Sequence, residues 1–406
     1  MTPRRALTLL AAAELLAMSP WFSASAVAPA LVQHWQLGPR DSAWLTISVQ
    51  LGFVVGALVS ALFTLSDLWS ATRLVAGCAW LAGAATLGVI LAPGPQTAIT
   101  LRALTGAALA GVYPPGMKIA AQWFRETRGV AIGILVGALT VGSASPHLVG
   151  AFVNASQWNS VLAIAGFAAF AGGVLVLLLP PQGPYATPSP RFTWTAVPRL
   201  VRDRAVLLAN CGYLGHMWEL YAMWTWVAVF IAESEMARTR VHATSAGPAG
   251  SFPAALAFAV IAAGALGCWL AGKWADQWGR TRVTSVAMAL SGSCALLSGF
   301  VFGRPALVLG SVLVVWGVAV VADSAQFSAA ISELAPPEYV GTALTLQTCL
   351  GFLLTTITIY LVPALAGRIG WQWSMSVLAL GPALGIAAMH TLRQRPEALL
   401  MAGGRG

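Results

Sequence analysis

Apolar residues fill this chain in long runs, and polar residues gather in short stretches between them. A helix needs about 20 residues to cross a bilayer, whereas a membrane β-strand takes only about 9–11. On that scale the runs predict twelve helices, over residues 6–30, 42–66, 73–91, 97–120, 129–152, 159–180, 205–231, 254–272, 283–302, 306–331, 340–362 and 374–391. The longest connections are 181–204, rich in proline and arginine, and 232–253, rich in serine, glycine and charge. The first of these divides the chain into an expected N-terminal six-helix bundle (1–180), a central cytoplasmic loop (181–204) and a C-terminal six-helix bundle with a short cytoplasmic tail (205–406). The expected fold class is an all-α polytopic membrane protein.

Composition agrees. Of 406 residues, 58% are hydrophobic and 9% charged, against about 25% charged in soluble domains. Cys78, Cys211, Cys268, Cys294 and Cys349 all fall in apolar runs with no C-x-x-C pair, so no disulfide framework, metal site or cofactor is expected. The net charge of +9 comes from basic residues in short loops, which serves topology and not nucleic-acid binding. Most of the 22 lysines and arginines fall on one side if the N-terminus lies in the cytoplasm. The positive-inside rule therefore puts both termini there, in a plasma membrane of the bacterial inner type. The N-terminal stretch has a basic start, an apolar run and an A-V-A end, like a signal peptide. Glu14 inside that run, and a copy of its surroundings far downstream, favour a retained first helix.

That copy belongs to a longer repeat. "ELLAMSPW" (Glu14–Trp21) and "ELYAMWTW" (Glu219–Trp226) share E-L-x-A-M-x-x-W. Asp67-x5-Arg73 matches Asp276-x5-Arg282, and "RGVA" around Gly129 matches "VGTA" around Gly341. Six helices duplicated in one orientation give two pseudo-symmetric halves, with solute handled between them.

On these residues the chain resembles the major facilitator superfamily. "GKWADQWGRTR" (Gly272–Arg282) is similar to that family's G-x-x-x-D-x-x-G-R-x-R loop, and "SDLWSATR" is a degenerate first copy keeping Asp67 and Arg73. "RALTGAALAG" (Arg102–Gly111) resembles the R-x-x-x-G signature of the fourth helix. The resemblance implies that Asp67, Arg73, Gly272, Asp276, Gly279, Arg280 and Arg282 form loops that latch one of two access states. It also implies a central cavity lined by helices 1, 4, 7 and 10. "GVYPPGMKIAAQWFRETRGVAIG" (Gly111–Gly133) is similar to nitrate, cyanate and organic-anion porters, although the mid-helix arginines of nitrate porters are missing from helices 2 and 8.

A charge at the bilayer centre costs about 2.5–3.5 kcal/mol on insertion scales and tends to face a cavity or a partner. Glu219 lies one turn from His216, so a carboxylate and an imidazole on one face can share a proton. The other reading of Glu219 is a neutral group hydrogen-bonded to a facing helix. Glu14 is its repeat mate. Arg102 either holds an anionic solute bidentately or snorkels to the interface. Asp323 in helix 10 serves solute contact or packing. His147 follows Pro146, expected to break the helix ladder and free a carbonyl. Tyr113, with Tyr221, Trp224 and Trp226, is expected along the pathway.

There is no H-E-x-x-H, P-loop or G-x-S-x-G motif, so an enzyme or ATP-driven pump is not expected. The expectation is a secondary active transporter, monomeric, whose partners are the bilayer, a small-molecule solute and protons. Symport of a small anion or organic acid comes first. The alternatives are proton-driven efflux of cationic or amphipathic compounds, or a membrane sensor built on a transporter fold.

Overall fold

A computed structural model describes residues 1–124, 128–153, 155–185, 192–242 and 251–406; the side chains of 39–40, 66–67, 128–129, 155 and 241–242 are also outside the described set. Among the described residues, twelve long helical segments, some interrupted, follow one another, with short helices between some of them. The first, α1, runs in three pieces, Pro3–Met18, Ser23–Ala26 and Ala28–Trp35. Next come α2 (Pro39–Leu62), α3 (Ala71–Ile90), α4 (Pro95–Leu109 and Tyr113–Trp123), α5 (Arg128–Phe152) and α6 (Trp158–Val176). The second set is α7 (Arg204–His242), α8 (Ser251–Trp278), α9 (Arg280–Val301), α10 (Ala306–Ala322 and Ser324–Leu334), α11 (Val340–Ile369) and α12 (from Trp371, through a 3-10 stretch, to Arg393). Among the described residues, nine helices are long and apolar enough to cross a membrane. The interrupted α1 and α4, and α7 with its His216 and Glu219, supply the other three crossings.

Packing repeats between the halves. In the first, α2 packs on α4, α3 on α6, and α1 on α6 and α5. In the second, α8 packs on α10, α9 on α12, and α7 on α12 and α11. The halves meet along α5 against α8 and α2 against α11, itself a symmetric pair of contacts.

Close backbone approach explains the glycines of α2–α4 and α8–α10. A Cβ on Gly52 would overlap the Ala103 carbonyl, and one on Gly106 the Val49 carbonyl. In the other half, a Cβ on Gly267 would overlap the Val318 carbonyl, and one on Gly317 the Val260 carbonyl. Lipid supplies no hydrophobic drive between helices, so small residues that let backbones touch supply van der Waals contact instead.

The prolines show how the helices bend without losing hydrogen bonds. Proline has no N–H for the carbonyl four residues earlier, and the bilayer core offers no water to replace it. At Pro20 the freed Leu16 carbonyl accepts the Ser19 hydroxyl at 2.8 Å. At Pro146 the Gly142 carbonyl accepts the Ser145 hydroxyl at 2.7 Å. At Pro363 the Ile359 carbonyl accepts the Trp226 indole N–H at 2.9 Å. At Pro146 the ladder bond is lost and the Gly142 carbonyl is freed, yet α5 continues as a helix through it.

Two expectations shift with the structure. The chain after residue 231 continues as helix to His242 before the described residues stop, because 232–240 is built largely of good helix formers. Arg238 pairs with Glu235 at 2.7 Å there. The connector is partly helical (Val197–Arg202) and tied down at two points. The Gly183 N–H donates to Gln122 Oε1 at 3.2 Å, and the Thr193 N–H donates to Thr342 Oγ1 at 2.9 Å.

Gly106→Leu and Gly317→Leu should each destabilise the fold by about 1–3 kcal/mol through overpacking, lowering the thermal unfolding midpoint in detergent. Gly77→Leu, where a side chain would meet open space, should leave it unchanged.

Candidate transport site

The break in α1 organises the middle of the molecule. The first piece ends at Met18, and in the turn that follows the Pro20 carbonyl, which also accepts the Ser23 hydroxyl at 2.9 Å, and the Trp21 carbonyl lie within reach of α4. Arg102, fully buried on α4, gathers them. Its Nη1 donates to the Pro20 carbonyl at 2.7 Å and to Ser23 Oγ at 3.3 Å. Its Nη2 donates to the Trp21 carbonyl, and its Nε to the Leu45 carbonyl of α2 at 3.2 Å. The guanidinium thus ties α1, α2 and α4 together through backbone acceptors. Neither expected role, solute holding or snorkelling, matches this bonding.

Two acidic groups lie nearer the end of the bundle where the chain begins. Glu14 is 1% exposed, and neither carboxylate oxygen has a hydrogen-bond donor. It abuts Gly116 of α4, where a Cβ would come within 2.8 Å of Oε2. Tyr113, the first residue after the break in α4, lies within electrostatic reach of Glu14, of Cys268 on α8 and of Tyr213 on α7. Asp323 sits at the break in α10, 1% exposed, with Oδ1 2.8 Å from His216 Nδ1 of α7. Around this pair, the rings of Tyr213, His216 and Phe327 lie 5.7–6.0 Å apart. Hence Glu14 and Tyr113 of one half, and His216 and Asp323 of the other, approach the same central region.

Glu219, within electrostatic reach of Asp323, makes its hydrogen bonds inside the second half. One carboxylate oxygen accepts the Ser291 hydroxyl of α9 and the other the Trp316 indole N–H of α10, both at 2.7 Å. Those bonds place it inside the second half, among packing helices. His147 is completely buried on α5, and neither ring nitrogen has a partner.

The loop motif forms an ion-pair cluster. Arg280 contacts Glu333 Oε1 at 3.0 Å, Gln326 Oε1 at 2.8 Å and Asp276 Oδ1 at 3.2 Å, joining the α8–α9 turn to the end of α10. Glu333 and Gln326 carry no signature in sequence and were missed there. Gly272 is buried, Arg73 and Arg282 are exposed, and the Asp67 side chain lies outside the described residues. Gly279 has φ = +92°, and a Cβ there would strike the carbonyls of Arg405 and Gly406. The tail lies over this turn: the Ala402 N–H donates to Glu333 Oε2 at 3.1 Å, and Arg405 donates to the Asp276 carbonyl.

The family model of the Major Facilitator Superfamily matches residues 10–346, and the chain belongs to that superfamily. Solved structures agree on the fold. The nucleoside transporter NupG superposes with a TM-score of 0.71 at 14% identity, over 95% of this chain and 99% of its own. A bacterial homolog of the human lysosomal transporter Spinster, inward-facing and unoccupied, gives 0.71 at 14%, over 97% and 99%. The xylose transporter XylE from E. coli, in a partially occluded inward-open conformation, gives 0.72 at 14%, over 96% and 99%. Among curated proteins, none matches the sequence. The protein is a multi-pass membrane transporter, not an enzyme.

Arg102→Lys should destabilise the protein by about 1–3 kcal/mol for each buried carbonyl left unpaired, because an ammonium lacks the planar fork that spans three helices. Thermal unfolding in detergent checks this, with Arg282→Lys, at an exposed position, as the neutral comparison.

Proposed function

We propose that the protein couples proton movement to symport of a small organic solute, by alternating access of its two halves, in a bacterial inner membrane with both termini in the cytoplasm. The observation that carries this reading is the His216–Asp323 contact at 2.8 Å, buried between α7 and α10. An imidazole and a carboxylate in such a site exchange one proton between charge states, and intramembrane pairs of this kind mark proton relays. Glu14, unpartnered on the opposite half, offers a second carboxylate for the same proton. The α5–α8 and α2–α11 contacts are the surfaces on which the halves would rock.

Arg102 bears on the solute. With its donors committed to carbonyls, a compact inorganic anion has no guanidinium to bind. The likeness of Gly111–Gly133 to organic-anion porters supports an organic acid. The second reading, efflux of a cation, is favoured by one feature: both Glu14 oxygens lack donors. The bundle boundaries at 180 and 205, the latch role of the Asp276–Arg280–Glu333 cluster and a monomeric state belong to this proposal.

In proteoliposomes with a trapped pH dye, an added organic acid should drive proton entry. Asp323→Asn should abolish gradient-driven accumulation while keeping solute counterflow. Glu219→Gln should retain coupling and lose stability only, by about 1–2 kcal/mol. Proton exit driven by an added cation would instead establish antiport.

A further inference from the structure

Six aromatic rings meet where the halves join, next to the break in α1. Trp21 and Phe22 of α1 and Phe53 of α2 come from the first half; Tyr221 and Trp224 of α7 and Phe352 of α11 come from the second. The shortest centroid separation is Phe53–Phe352 at 4.3 Å, across the halves. Trp21 lies 5.7 Å from Tyr221, in a stacked orientation, and 5.7 Å from Phe352. Phe22 meets Trp224 at 5.8 Å.

This cluster is not an ordinary apolar core, because hydrogen-bond donors are buried in it without acceptors. The indole N–H groups of Trp21 and Trp224, both 1% exposed, have no partner. Nor does the amide of Gln50, fully buried one turn before Phe53 on α2. Leaving each such group unsatisfied costs about 1–3 kcal/mol. Other indoles avoid that cost: Trp80 donates to the Phe170 carbonyl, Trp218 to that of Val377, Trp226 to that of Ile359, and Trp316 to Glu219. Among the described residues, Trp123 on the far part of α4 is the other buried indole without a partner. The contrast is sharpest inside the repeat, where Trp21 and Trp226 occupy matching positions and only Trp226 has an acceptor.

We propose that these rings form the solute subsite, and that the solute is planar and aromatic with hydrogen-bond acceptors at its edge, chemically an aromatic carboxylate or amide. This deepens the symport reading above and rests on it. As the halves part, a flat ring takes the place of the cross-half ring contacts, stacking on Trp21, Tyr221 and Phe352. Its acceptor edge meets the indole N–H groups and the Gln50 amide. Arg102, bound to the carbonyl of Trp21, fixes that residue's backbone and sets a positive charge behind the site. Of the buried carboxylates, Glu14 lies two turns before Trp21 on α1, Glu219 on α7 is already bonded to Ser291 and Trp316, and Asp323 lies on α10, which supplies none of the rings.

The test measures binding to the full chain in lipid nanodiscs by calorimetry, and proton-coupled uptake in proteoliposomes. The probes are benzoate, nicotinamide and cyclohexanecarboxylate, the last matching benzoate in charge without its aromatic face. Benzoate is expected to bind at least tenfold more tightly than cyclohexanecarboxylate. Trp21→Phe and Trp224→Phe, which keep a ring and delete the N–H, should each weaken benzoate and nicotinamide about five- to tenfold, the loss of one hydrogen bond. Trp226→Phe should lower thermal stability and leave selectivity unchanged. Equal binding of the two carboxylates, unaltered affinity in both Phe variants, or no binding of any probe would overturn the subsite, and the rings then act only as a seal between the halves. Benzoate binding that responds to Trp21→Phe without any accompanying proton flux would uphold the subsite and overturn the coupling.

Discussion

The structure depends on one constraint: in the hydrocarbon core, every backbone carbonyl released by a proline must find a donor inside the protein. Ser19, Ser145 and Trp226 meet it at Pro20, Pro146 and Pro363, and Arg102 meets it for the unwound turn that follows Pro20. These bonds let α1 break and α5 and α11 accommodate a proline without exposing polar backbone to lipid. A buried guanidinium is costly unless well bonded, and it is best placed where several carbonyls of an irregular turn lie within reach. The break in α1 and the arginine in α4 therefore require each other, although they lie about eighty residues apart in sequence.

The duplication that built the chain has since divided labour between its copies. In E-L-x-A-M-x-x-W, the second copy has both polar groups committed: Glu219 to Ser291 and Trp316, Trp226 to Ile359. The first copy has both uncommitted, with Glu14 and Trp21 buried and without partners. One copy holds helices together, and the other keeps its polar atoms available. In the second half it is Asp323, beside His216, that keeps a buried carboxylate at a helix break.

Much of the architecture was legible in the sequence because the bilayer imposes a length on each apolar run and the repeat imposes an order. The motif loop was legible through Asp276 and Arg280, and their ion pair is present. What stayed hidden was direction. Periodicity places Glu219 and His216 on one helix face, yet Glu219 turns toward α9 and α10 while His216 meets Asp323. Arg102 reads in sequence as a charge for an anion or as a snorkelling side chain, because backbone carbonyls as acceptors leave no trace in residue identity. Gln50, Phe53, Phe352 and Glu333 could not be singled out for a similar reason: each gains its meaning from a helix distant in sequence. The helical extension of α7 past residue 231 was hidden by charge, which reads as a loop but also suits a solvated helix surface.

That extension has a mechanical consequence. At about 1.5 Å per residue, the 39 residues of α7 form a rod of about 58 Å, nearly twice the roughly 30 Å of hydrocarbon it must cross. Arg238 and Glu235 brace its overhanging part, and the Ser234 hydroxyl accepts the Gly303 N–H at 2.8 Å, anchoring it to the α9–α10 turn. A rigid mast fixed to one half amplifies any tilt of that half at its tip, so a reporter placed there would register small rotations as large displacements.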